Sequence, residues 1–148
     1  MVHESFSERF PDGSAEARAS TALAAHLGTG LSPRRLTLDD GTSVEIEAMD
    51  ARGGVIVQFV LNGGAMRSAL RNKVAADMVK LLWVRQTLVP GARAVLCVST
   101  TVATILTRRG WLAAAARDFG IAVYVMTEAG EVVQLPQPGQ SLQPGQSL

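Results

Sequence analysis

The segment from Ser43 to Leu88 restricts the fold more than any other part of the chain. In Val44-Glu45-Ile46-Glu47-Ala48 apolar and acidic residues alternate, the period of a strand, which places Glu45 and Glu47 on one face. Asp50-Ala51-Arg52-Gly53 reads as a turn. Val55 to Leu61 is apolar at every position except Gln58, the pattern of a central strand covered on both faces. Asn62-Gly63-Gly64 breaks that strand. From about Met66 to Leu88 the residues Leu70, Val74, Met78, Leu81 and Leu82 recur at helical spacing, and Pro90-Gly91 stops the helix. Strands of both patterns beside a long amphipathic helix predict an α/β domain with a mixed sheet and helices packed around it.

The flanking sequence extends this plan. Ser14 can cap a helix over Ala15 to Leu27, ended by Gly28 and Gly30. Leu36-Thr37-Leu38 and Ser43 to Met49 flank Asp39-Asp40-Gly41, a hairpin signal. Ala94 to Ser99 reads as a buried strand. A short helix to Arg108-Arg109-Gly110, a second from Trp111 to Phe119, a strand from Ile121 to Met126 and an edge strand from Glu131 to Leu135 follow. At 148 residues the expectation is one domain over residues 14–135. Residues 1–13 are polar and read as a loosely held arm. Residues 136–148 read as a low-complexity tail in which Gln137-Pro138-Gly139-Gln140-Ser141-Leu142 occurs twice.

Composition removes several function classes. The single Cys97 excludes a disulfide framework and a Cys-rich zinc site. Ala94 to Thr107 is uncharged but short for a membrane span and carries five hydroxyl residues. The start of the chain, with His3, Glu4, Glu8 and Arg9, lacks the apolar segment of a secretory signal, so a cytoplasmic protein without membrane attachment is expected. Neither His3 nor His26 lies in a nucleophile signature. Gly28-Thr29-Gly30 follows a helix rather than a strand, which argues against a dinucleotide loop. The formal net charge of +1 by itself selects no partner.

Two clusters carry possible chemistry. A four-residue turn at Asp50–Gly53 sets Glu45 opposite Gln58, and a two-residue slip sets Glu47 there instead. A carboxylate and an amide oxygen on adjacent strands can hold a hard divalent cation, or can simply form a polar pair. On the long helix Lys73, Asp77 and Lys80 fall within about 60° of one another. Surface ion pairs explain that grouping equally well. Arg67 to Arg93 contains six cations (Arg67, Arg71, Lys73, Lys80, Arg85 and Arg93) and one acid, the charge asymmetry of a phosphate-facing segment. It lacks the aromatic interleaving of a single-strand stacking platform. The backbone N–H groups of Gly63-Gly64 offer a further phosphate contact.

The order helix-strand-strand-strand-helix-strand-helix-strand, over about Ser14 to Met126, resembles the restriction-endonuclease-like core of the PD-(D/E)XK nuclease superfamily. The resemblance implies a divalent-metal-dependent nuclease acting on DNA with Mg²⁺ or Mn²⁺. Its second-strand acid would be Glu45 or Glu47, and Gln58 would fill the E/Q position of the third-strand E/Q-X-K motif. The lysine position of that motif falls on Val60, so Lys73 on the helix would substitute. Metal ligands would then be Glu45, Glu47 and Gln58, catalytic groups Lys73 and Gln58, and DNA contacts Arg67, Arg71, Lys73 and Lys80. With Val60 in place, the resemblance implies a weak or inactive Mg²⁺-dependent phosphodiesterase. The alternative is a non-enzymatic, homodimeric interaction module that kept the fold and lost the site.

Overall fold

The computed structural model describes residues 3–6, 10–61, 67–107 and 109–136. It is one α/β domain built on a seven-stranded mixed sheet whose spatial order follows the chain. The elements are β1 (His3–Phe6), α1 (Ala15–Leu27), β2 (Ser32–Thr37), β3 (Ser43–Met49), β4 (Val55–Val60), α2 (Arg67–Thr87), β5 (Arg93–Ser99), α3 (Thr100–Thr107), α4 (Trp111–Asp118), β6 (Ile121–Met126) and β7 (Val132–Gln134).

β1 to β4 pair antiparallel, β4, β5 and β6 pair parallel, and β7 returns antiparallel at the edge. β4 therefore lies at the centre, as its apolar run requires. The parallel pairs are joined through α2 and through α3–α4. Two crossovers of the same hand advancing in one direction put their helices on the same sheet face. That layer shares a core with Ile56 and Val60 of β4 and with Leu96 and Val98 of β5. On the other face Ala19 and Leu23 of α1 cover Val57, Phe59, Val95, Cys97 and Tyr124. The alternation along β4 thus divides its side chains between two cores.

Local signals account for the ends of α1. Ser14 Oγ accepts from the Ala17 N–H at 3.1 Å, and Gly28 adopts a left-handed conformation at φ 71°, which costs glycine least. Ile46, Val57, Phe59, Leu70, Val74, Leu81, Val95, Val98 and Val123 are buried in these two cores, while Val55 is half-buried. Two boundaries differ from expectation. The arm contains β1, which pairs with β2 from His3↔Thr37 to Phe6↔Arg34. β2 begins at Ser32, ahead of Leu36, with Pro33 near its start. Gly63-Gly64, Arg108 and the repeated tail lie outside the described residues. Among those described, no helix is long and apolar enough to cross a membrane.

Candidate functional site

The site begins with an irregularity in β3. Ser32 pairs with Met49 and Arg34 with Ile46, so two steps on β2 are matched by three on β3. The extra residue is a β-bulge, which re-aims side chains. Its consequence is visible in the two cores: Ile46 packs into the helix-layer core and Ala48 into the α1 core. Simple alternation from Ile46 would keep Ala48 on the helix side.

This corrects the expectation that Glu45 and Glu47 share a face. Glu47 points toward α2, where Gln58 Nε2 donates to its Oε1 at 3.1 Å. Glu45 lies on the opposite face and forms an ion pair with Arg35, its cross-strand neighbour on β2. The β3–β4 register, Ala48↔Val57 and Met49↔Ile56, brings Glu47 opposite Gln58. Of the two registers open to the sequence, the slipped one holds.

Gln58 is completely buried and uses every part of its amide. Its Oε1 accepts from the Glu47 main-chain N–H at 2.9 Å, standing in for a ladder acceptor. Its Nε2 donates to Glu47 Oε1 and, at 3.2 Å, to Asp77 Oδ1 on α2. The orientation follows from chemistry: a main-chain N–H can only donate, so it must meet the amide oxygen. The amide nitrogen is left facing two carboxylates. Asp77 Oδ2 in turn accepts from Lys73 Nζ at 2.9 Å, one helical turn earlier. Asp77 is buried, whereas half of the Lys73 side-chain surface is exposed. The cluster therefore runs from Glu47 through Gln58 and Asp77 to a cation at the surface.

The remaining candidates separate. Lys80 Nζ donates to the Glu45 carbonyl oxygen at 3.3 Å, so it lies on the Lys73 side of α2, beside β3. Lys73 and Lys80 are seven residues apart and project within about 20° of each other. Arg67 and Arg71 are exposed and lie on another flank, with Arg67 Nη2 donating to Thr104 Oγ1 of α3 at 3.4 Å. Val60, at the motif's lysine position, is sealed in the same core as Leu70 and Val74. Asp77 is the member whose importance helix geometry alone underrates, because as part of an i, i+4 pair it resembles a surface acid. Its position between Val74 and Met78 on the apolar stripe is the available signal. Arg34 was also missed. It is buried on β2 beside the bulge, and its Nη1 donates to Ser32 Oγ at 2.8 Å.

Glu47 and Asp77 are the carboxylates available to a cation here. No group of three His, Cys, Asp or Glu arranged to hold a metal occurs among the described residues. No family model, curated protein or solved structure matches this chain. The function must therefore be argued from its own residues.

Proposed function

We propose that this is a DNA-associated protein of restriction-endonuclease-like architecture whose carboxylate cluster is closed by its own amide, leaving it weak or inactive as a Mg²⁺-dependent phosphodiesterase. The observation that carries the reading is the Gln58 amide nitrogen donating to both Glu47 and Asp77. In a nuclease-type site the space between such carboxylates belongs to a cation. Here an N–H₂ group fills that role. A Mg²⁺ ion brought to the same place would meet amide hydrogens rather than an amide oxygen. Turning the amide over would oppose two N–H donors at Glu47. Mg²⁺ also releases its waters reluctantly, so two carboxylates with a donor between them do not fit it as arranged.

The antiparallel run into β4, followed by a helical crossover to a parallel neighbour, supports the architectural part of the reading. Lys73 remains half-exposed at the cluster's mouth, and Lys80, Arg67 and Arg71 add positive charge along α2. Phosphate contacts from these side chains need no metal.

The test uses the full chain with plasmid and short duplex DNA, with and without Mg²⁺ or Mn²⁺. Binding should occur without metal and weaken steeply as salt rises. Cleavage should not exceed that of Lys73→Ala. Metal-dependent cleavage abolished by both Glu47→Ala and Lys73→Ala would overturn the closed-cluster reading. Absence of salt-sensitive binding would overturn the DNA association.

A further inference from the structure

The charges of this nearly neutral chain are strongly segregated. Residues 67–120 hold nine of its fourteen Lys and Arg but two of its thirteen Asp and Glu. Of those two acids, Asp77 is buried and Asp118 is paired with Arg117. Five of the cations, Arg67, Arg71, Lys73, Lys80 and Arg85, are on α2, so the surface contributed by α2 and α4 is cationic. It also carries exposed Val79, Trp83, Trp111 and Phe119. Both tryptophans of the protein are in this layer.

On α2 the placement is more specific. Ala76, Val79 and Trp83 recur at helical spacing and are exposed. From Lys80, Trp83 is one turn on and about 60° around the helix. Lys73 and Lys80 thus form a line along the side of α2 next to β3, which Trp83 continues one turn on, turned toward the exposed stripe of Ala76 and Val79. The lysines are about 10 Å apart along the axis, with the indole about 5 Å beyond. Lys73 ends the carboxylate cluster, while Lys80 donates to a neutral carbonyl and makes no ion pair among the described residues.

We propose that this line binds single-stranded DNA, with phosphates at Lys73 and Lys80 and a base stacked on Trp83. The inference rests on the DNA reading above and names its substrate class. It also revises the sequence-based expectation that the segment cannot act as a stacking platform, since that expectation overlooked Trp83. Every base has a flat π-face, so one exposed indole beside a cationic track suffices for sequence-tolerant binding. A second copy docking across a two-fold axis through α2 would bring cationic helices together, which disfavours it as the occupant.

Trp111→Phe leaves Trp83 as the sole indole reporter. Titration of this variant with oligo-dT should quench its fluorescence, and oligo-dT should bind more tightly than duplex of equal length. In the native background Trp83→Ala should weaken oligo-dT binding about tenfold, Trp83→Phe should restore most of it, and Trp111→Ala should have little effect. Lys80→Ala should reduce the log–log salt slope by about 0.7, the contribution of one phosphate contact on a single strand. Thermal melts establish that each variant is folded.

Equal losses from Trp83→Ala and Trp111→Ala would overturn the proposal. So would duplex binding without Trp83 quenching, although the DNA reading would then stand. Absence of salt-sensitive binding to either nucleic acid form would remove both. Tighter binding to oligo-rU, concentration-dependent dimerisation blocked by Trp83→Ala, or a Trp83 blue shift with anionic vesicles and no response to oligo-dT would assign the surface to another occupant.

Discussion

Gln58→Glu changes one NH₂ group into an oxygen and leaves the volume of the buried side chain nearly unchanged. Its effect should nevertheless be large. The amide nitrogen donates to Glu47 Oε1 at 3.1 Å and to Asp77 Oδ1 at 3.2 Å. Hydrogen bonds to charged acceptors contribute about 1.5–3 kcal/mol each. The substitution removes both and adds a third buried carboxylate. The Glu47 N–H keeps an acceptor, so that bond survives. Stranding a buried charge typically costs about 3–5 kcal/mol. For a domain of this size each kcal/mol shifts Tm by about 2–4 °C, giving a fall on the order of 10 °C.

The assay is thermal unfolding near pH 7.5. Glu47→Gln/Gln58→Glu should recover much of the loss, because it returns a donor to the Glu47 side and restores the original charge. Lowering the pH toward 5.5 should narrow the gap between Gln58→Glu and the native chain. Protonating the crowded carboxyl restores one donor, so the variant gains relative stability as pH falls. Millimolar Mn²⁺ should raise the Tm of Gln58→Glu more than that of the native protein. A Gln58→Glu protein melting within about 2 °C of native, a change of about 1 kcal/mol or less, would refute the role assigned to the amide. An equal response of both proteins to Mn²⁺ would refute its exclusion of the cation.

Phe59→Ala removes a buried ring from the central strand and should cost about 3–5 kcal/mol in denaturant unfolding; a loss below about 1 kcal/mol would contradict the strand's central role. Asp77→Ala should destabilise far more than Arg35→Ala, measured in the same way, because the Arg35–Glu45 pair is partly exposed and should contribute less than about 1 kcal/mol, decreasing with salt. The Cys97 thiol, pushed up to about 12 by burial, should resist a thiol reagent at pH 8 in the folded protein and react after denaturation. Rapid labelling of the folded chain would show that β5 is accessible.

The parts of the fold visible in the sequence are those governed by local chemistry. The apolar run around Gln58 identified the centre of the sheet because a doubly covered strand has few other compositions. Pro90-Gly91 and Gly28 marked helix ends for equally local reasons. β1 was hidden because its polar sequence carries no strand period, and its pairing is imposed by β2 as a template. The start of β2 was obscured by Pro33 and two consecutive arginines, which weaken a strand signal without preventing pairing near an edge.

The site was legible in its members but not in its geometry. Glu47, Gln58 and Lys73 could be selected as residue types, yet their relation depends on one extra residue in β3. A period-two reading has no means of locating a bulge, so it joined Glu45 to Glu47 and divided Glu47 from Ile46. The same displacement gives Gln58 its dual role: its oxygen satisfies the Glu47 backbone while its nitrogen bridges to Asp77. Asp77 then passes the negative charge to Lys73 at the surface. The lysine that appears on a helical wheel as half of a simple ion pair is therefore tied to a buried network. A ligand that draws Lys73 away from Asp77 would leave that buried carboxylate with Gln58 as its remaining described hydrogen-bond partner. Nucleic-acid binding at Lys73 should thus alter the stability of the network, so oligo-dT should raise Tm less in the native chain than in Asp77→Asn, where the lysine is released from the carboxylate beforehand. Equal stabilisation of the two at matched DNA saturation would show that Lys73 keeps its contact with Asp77 in the complex.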